Sequence, residues 1–229
     1  MDRLDFFTSI TPSPPQLEIQ SLGFYAFLHF GMNTFLDKEW SDGKASPNLF
    51  CPTQLDTDQW VRALRNAGMR GAVLTAKHHD GFCLWPSKLT NYTVAASPYR
   101  DGKGDIVGEL SRSCAKYGLK FGVYLSPWDR HDERYGTPAY DDFYVGQLTE
   151  LLTQYGEIFT VWLDGACGTY LDGKPKQAYD FDRYYETIRR LQPGCIISNC
   201  GPDVRWIGNE GGITRRSEWN VVPRFAYDI

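Results

Sequence analysis

Thr57-Asp58-Gln59-Trp60-Val61-Arg62-Ala63-Leu64-Arg65-Asn66-Ala67-Gly68 leads within two residues to Gly71-Ala72-Val73-Leu74-Thr75-Ala76, which runs straight into Lys77-His78-His79-Asp80-Gly81. The first segment has a polar N-cap candidate, apolar residues at helical spacing and a closing glycine, so it reads as a helix. The second is a short apolar run of strand length, and the third is a polar loop. The same order returns downstream. Residues 105–117 read as a helix stopped by Gly118, and residues 120–126 as a strand ending in Pro127-Trp128-Asp129. Pro138 opens a helix through Leu148, Leu151 and Leu152 to Gly156, followed by the strand Phe159-Thr160-Val161-Trp162-Leu163 and then Asp164-Gly165. Residues 181–191 read as a last helix, broken by Pro193-Gly194, before a strand over residues 195–199.

Helix, glycine, strand and polar loop recur without a hairpin signal, which predicts parallel strands joined by right-handed crossovers. The strands are apolar throughout, as strands covered on both faces are. A doubly wound sheet and a β/α barrel both fit that pattern. The nucleotide-binding form is discounted because the first βα turn has no GxGxxG and Gly102-Lys103-Gly104 has the wrong spacing. The expected fold class is therefore α/β, a (β/α) TIM-like barrel.

Upstream, residues 1–20 with Pro12, Pro14 and Pro15 read as an entry segment lying over the fold, followed by a short helix or turn. A first strand over residues 24–30 includes His29 and is closed by Gly31. Residues 31–56 are expected to be a long loop without regular elements, and ordered loops of that length tend to be functional.

Composition excludes several classes. A net charge of −4 offers no basic face for nucleic acid and no polybasic membrane anchor. No stretch approaches the length of a membrane span, and the first residues lack the pattern of a secretion signal, so a cytoplasmic protein is the default expectation, and a secreted or periplasmic one if a signal has been removed. The six cysteines form no CxxC pair and read as reduced thiols. Aromatic residues make up 15% of the chain, which suits stacking on sugar rings as well as a large core.

Each predicted strand ends in groups with chemical capacity: His29; Lys77, His78, His79 and Asp80; Trp128 and Asp129; Asp164; Asn199. In a barrel such ends converge on one face. His78 and His79 are expected to point opposite ways on an extended chain and find no third ligand, so no metal site is predicted. Asp164 before Gly165 also fits a turn cap. Without a Ser-His-Asp order or a cofactor fingerprint, such a pocket suggests glycoside hydrolysis by two carboxylates.

His29 in the HFG run, Glu39-Trp40-Ser41, Lys77-His78-His79-Asp80-Gly81-Phe82, Val123-Tyr124-Leu125-Ser126 and Val161-Trp162-Leu163-Asp164-Gly165 resemble, in order, the catalytic domain of the α-L-fucosidases of glycoside hydrolase family 29. The resemblance runs from about Ser21 onward. It implies a retaining hydrolase that removes terminal α-L-fucose from fucosylated glycans through a covalent intermediate, without metal or cofactor. It further implies that Asp164 is the nucleophile and that His29, Glu39, Trp40, His78, His79, Tyr124 and Trp162 line the fucose pocket. Residues 31–35 and 201–210 look more like the branch that prefers α-1,3 and α-1,4 linkages. Glu210 and Glu218 are the candidates for the acid/base. Glu210, flanked by Gly208, Gly211 and Gly212 and near Trp206 and Ile207, is the assignment.

Five strands and a sixth between Ile213 and Val222 fall short of the eight of a closed barrel. Residues 21–229 are accordingly expected to form a partial barrel, and the family's C-terminal β-sandwich domain to be absent. An open sheet edge would also be a surface for self-association. Two other readings stay open: a non-catalytic fucose-binding remnant, and a retaining glycosidase for another sugar.

Overall fold

A computed structural model describes residues 3–168, 175–206, 213 and 216. Its spine is a parallel sheet of β1 (Ala26–Leu28), β2 (Gly71–Lys77), β3 (Lys120–Leu125), β4 (Thr160–Leu163), β5 (Ile196–Asn199) and β6 (Val204–Arg205), hydrogen-bonded in sequence order. A doubly wound sheet reverses its strand order at a switch point. Here every strand adds on the same side, the order of a β/α barrel.

Four crossover helices follow from local sequence. α4 (Thr57–Asn66), α5 (Ile106–Tyr117) and α7 (Phe181–Leu191) are each capped by an aspartate: Asp56 accepts from Gln59 N, Asp105 from Gly108 N and Asp180 from Arg183 N. Each such cap satisfies an otherwise orphaned amide and is worth about 1 kcal/mol. α6 (Ala139–Gln154) begins directly after Pro138, and α5 stops at Gly118 in the left-handed region.

All four helices cover one face of the sheet. Ala72, Leu74 and Ala76 of β2, Phe121, Val123 and Leu125 of β3, and Val161 and Leu163 of β4 pack there with Val61, Ile106, Leu110, Tyr140, Tyr144, Leu148 and Ile188. The alternate residues Val73, Tyr124 and Ile196 face inward and form a smaller cluster with Leu22 and Phe159. α2 (Pro14–Leu22), held by a Ser13–Gln16 capping box, brings Leu22 and Ile19 to that inner cluster, and its Gln16 side chain donates to Asp203 O. The entry segment thus carries two helices, α1 (Arg3–Thr8) and α2, where only an overlying segment with a short helix or turn is legible in sequence.

Two further differences are local. The stretch expected to be a loop contains α3 (Met32–Leu36) and a 3-10 turn at Pro47–Leu49. The sixth described strand is the two-residue Val204–Arg205, whereas the strand expected between Ile213 and Val222 lies outside the described residues except for 213 and 216. All six cysteines are free. No helix among the described residues is long and apolar enough to cross a membrane.

Candidate active site

Alternation on the strands decides which polar ends meet. On β3, Tyr124 is inward and Ser126, two residues on, continues its row; on β4, Trp162 is inward and Asp164 continues its row. Tyr124 and Trp162 are register partners, so the two rows end side by side. The Tyr124 hydroxyl donates to Asp164 Oδ2 at 2.7 Å, and Ala166 N donates to Oδ1 at 2.7 Å. Among the described residues each carboxylate oxygen therefore has one fixed donor, which leaves a second lone pair of each oxygen without a partner there.

Three imidazoles stand beside it. The His29 and His78 ring centroids are 4.6 Å apart, His78 and His79 4.1 Å, and His78 stacks on Tyr124 at 5.8 Å. The expectation that His78 and His79 point opposite ways is thus corrected. The chain leaves the extended conformation after Lys77 and turns, so both rings reach the same place. Burial pushes His78 down to about 2 and His79 to about 4, in each case aided by neighbouring positive or potentially positive groups and, for His79, opposed by the negative field of Asp164. His29 is also lowered by burial, against the raising fields of Glu39 and Asp164. All three are therefore neutral at neutral pH. His78 Nδ1 is buried and finds no partner among the described residues.

Aromatic walls flank the cluster. Trp40 and Trp128 lie 5.8 Å apart with the Arg130 guanidinium over both, 4.7 Å from the Trp40 ring and 5.4 Å from that of Trp128. Trp128 contacts His79 at 4.9 Å, and a Cβ on Gly168 would come within 2.1 Å of it, so only glycine lets the loop after β4 close on that indole. On the inner side Phe27 sets its edge against both Tyr124 and Trp162. A cleft of about 590 Å³ lined by Lys44, Thr90, Asn91 and residues 130–134 lies beside this cluster, not at it.

Four of the predicted strand-end groups do not share the pocket. Simple alternation would put Lys77 inward with Val73 and Thr75. A register irregularity between Thr75 and Lys77 turns it to the helix side instead. There its ammonium, fully buried, donates to Asp129 Oδ2 at 2.9 Å and to the Tyr140 hydroxyl, within 5.7 Å of the Tyr140, Phe143 and Tyr144 ring centroids. Asp129 Oδ1 accepts from His131 N and Asp132 N, which folds the loop after β3. Gly81, at φ +84°, lets that loop approach, since a Cβ would lie 2.5 Å from Asp129 Oδ1. Asp80 accepts from Phe82 N and from the Asn33 amide, tying α3 to the loop after β2. Burial pushes its carboxyl up to about 6. Asn199 donates to Leu163 O and links β5 to β4.

The structure therefore brings together His29, His78, His79, Tyr124, Trp162 and Asp164, with Trp40 facing Trp128 beside them. Glu39 contributes through its field on His29. Glu210 and Glu218 lie outside the described residues. Sequence reasoning missed Ser126 and Arg130 as site residues, although both stand in the Leu125-Ser126-Pro127-Trp128-Asp129-Arg130 run at a strand end. No group of three or more His, Cys, Asp or Glu arranged to hold a metal occurs among the described residues.

A family model described as Alpha-L-fucosidase matches residues 23–211. Alpha-L-fucosidase 1 of Arabidopsis thaliana is 51% identical over 215 residues, which are 93% of this chain and 42% of the relative. A crystal structure of a glycoside hydrolase 29 family member from an unknown rumen bacterium superposes with a TM-score of 0.82 at 49% identity, over 88% of this chain and 38% of that one. A Ruminococcus gnavus GH29 fucosidase in complex with fucose gives a TM-score of 0.81 at 36% identity, over 92% of this chain and 48% of that one. The chain thus spans less than half the length of these relatives.

Proposed function

The chain belongs to the α-L-fucosidase family, and from that premise we propose that it supplies the nucleophile and much of the sugar pocket of a retaining exo-glycosidase. The substrate is a fucosylated glycan, and the bond broken is that of terminal α-L-fucose. The observation that carries this reading is the Tyr124–Asp164 hydrogen bond at the end of β4, beside three imidazoles in ring contact.

In the proposed reaction an Asp164 oxygen attacks C1 of fucose while the leaving oxygen takes a proton, giving a fucosyl ester that water then cleaves. Tyr124 and Ala166 N hold the carboxylate in one rotamer, so attack requires little reorganisation. Burial and the Asp164 charge both raise the Tyr124 phenol well above its ordinary pKa, so it remains a donor throughout. Positive charge builds on the sugar in the oxocarbenium-like transition state. Neutral His78 and His79 can hydrogen-bond the fucose hydroxyls without opposing that charge.

We assign the proton donor to Glu210 rather than Glu218. Its glycine-rich flanks give the backbone freedom to bring a carboxyl to the leaving oxygen. Preference for α-1,3 and α-1,4 linkages is proposed from the family resemblance of residues 31–35 and 201–210. The test is release of free L-fucose from an α-1,3/4-fucosylated trisaccharide, with Asp164→Asn in parallel. Release by the wild type, reduced at least about 10³-fold in the variant, is expected. Folded wild type that releases none, or a variant that matches it, would sink the proposal.

A further inference from the structure

We infer that Ser126 is a positioning residue that fixes His79 in its Nδ1–H tautomer, so that His79 meets the sugar as a hydrogen-bond acceptor through Nε2. The sugar's part in this rests on the function proposed above; the tautomer does not.

Ser126 is fully buried, and its Oγ has two close partners: Trp128 O at 2.7 Å and His79 Nδ1 at 2.7 Å. A carbonyl oxygen can only accept, so the hydroxyl proton must go to Trp128 O; otherwise two lone pairs would face each other at 2.7 Å. Ser126 Oγ is then an acceptor toward His79, and the proton between them belongs to Nδ1.

His79 stays neutral at working pH because burial holds it near 4. A neutral imidazole has one proton to place, and the nitrogen that keeps it is set by the partner of the other. With Nδ1 protonated, Nε2 carries a bare lone pair, and the one side-chain hydrogen bond of His79 among the described residues is the one at Nδ1. A fucose hydroxyl arriving there must donate. A ligand group that can only accept, such as a fluorine or ether oxygen in the same place, would meet lone pair against lone pair. Ser126 thereby takes part in choosing which hydroxyl pattern the pocket accepts, without touching the sugar.

The experiment is nitrogen NMR on the 229-residue chain with labelled histidine, whose four histidines keep assignment tractable. It is combined with kcat and KM on an aryl α-L-fucoside for the wild type, Ser126→Ala and Ser126→Thr. Wild-type His79 is expected to carry its proton on Nδ1 with Nε2 bare. Ser126→Ala should shift it to a mixture of tautomers and lower kcat/KM about tenfold, chiefly through KM, with Ser126→Thr restoring both. A wild-type His79 protonated on Nε2 overturns the inference, as does a Ser126→Ala protein with unchanged tautomer and KM. If Ser126→Ala does not fold, the wild-type spectrum still decides. An Nδ1–H tautomer in a protein that releases no fucose would remove the proposed function and leave the role of Ser126 standing.

Discussion

Lys77-His78-His79-Asp80 divides in two. Lys77 and Asp80 are buried and bonded, the first to Asp129 and Tyr140, the second to Phe82 N and Asn33. His78 and His79, between them, turn toward Asp164, and each keeps one ring nitrogen without a partner among the described residues. Four adjacent polar residues thus serve two purposes. The outer pair builds the frame that holds the loops, and the inner pair is left available for a ligand. Satisfaction of hydrogen bonds, more than polarity or position in the motif, separates frame from site.

Breaking the frame should cost stability, and breaking the site should cost only chemistry. The largest effect on the frame side is expected from Lys77→Met. It leaves Asp129 buried with its ion-pair partner gone and should destabilise the chain by about 3–5 kcal/mol, measured by urea unfolding. Any folded remainder should keep its KM. A fall in kcat with no loss of stability would put Lys77 on the site side.

Asp80 gives a pH-resolved version of the same contrast. Its folded carboxyl sits at about 6 against an ordinary 3.8, so the folded chain holds that proton more tightly than the unfolded chain. The stabilisation from that proton is complete below about pH 4 and is lost as the pH rises through 6. Between pH 4 and pH 7 the wild type should lose about 2–3 kcal/mol relative to Asp80→Asn, seen in paired unfolding curves. Parallel curves for the two proteins would refute this role.

Tyr124→Phe is the smallest of the three and belongs to the site. It removes one hydrogen bond to the Asp164 carboxylate while keeping the stack on His78 and the edge contact with Phe27. A loss of about 10–100-fold in kcat with unchanged melting is expected, from the usual worth of a bond to a charged group. Unchanged kcat would mean that Asp164 is oriented by Ala166 N alone.

Much of the frame was legible because its signals are local. Asp105 and Gly118 mark helix ends in sequence as they do in the fold, and residues 181–191 match the bounds of α7. α3 escaped because five residues are too few to show a helical period, and β6 because two residues carry no strand pattern. In the site, Asp164 could be placed as the polar end of an apolar strand, whereas Tyr124 and Trp162 were placed by the family resemblance and fall on inward rows only once β3 and β4 are seen in register. Lys77 could not, since one bulge reverses its side and nothing in residues 75–77 announces it. The bond from His79 to Ser126 joins residues 47 apart, so it appears only once β2 and β3 are side by side. The expected convergence of strand ends therefore describes where the three imidazoles and Asp164 sit, and is too broad for Lys77, Asp80, Asp129 and Asn199.

The most direct test is covalent trapping with 2-deoxy-2-fluoro-L-fucosyl fluoride followed by peptide mapping. The ring fluorine slows both steps by destabilising the oxocarbenium-like transition state, and the fluoride leaving group speeds only the first, so the intermediate accumulates. One bond forms between an Asp164 carboxylate oxygen and C1 while the C1–F bond breaks. The account predicts time-dependent labelling of the peptide containing Asp164, and none in Asp164→Asn. Label on another carboxylate such as Glu39, or equal labelling of the Asp164→Asn protein, would contradict it.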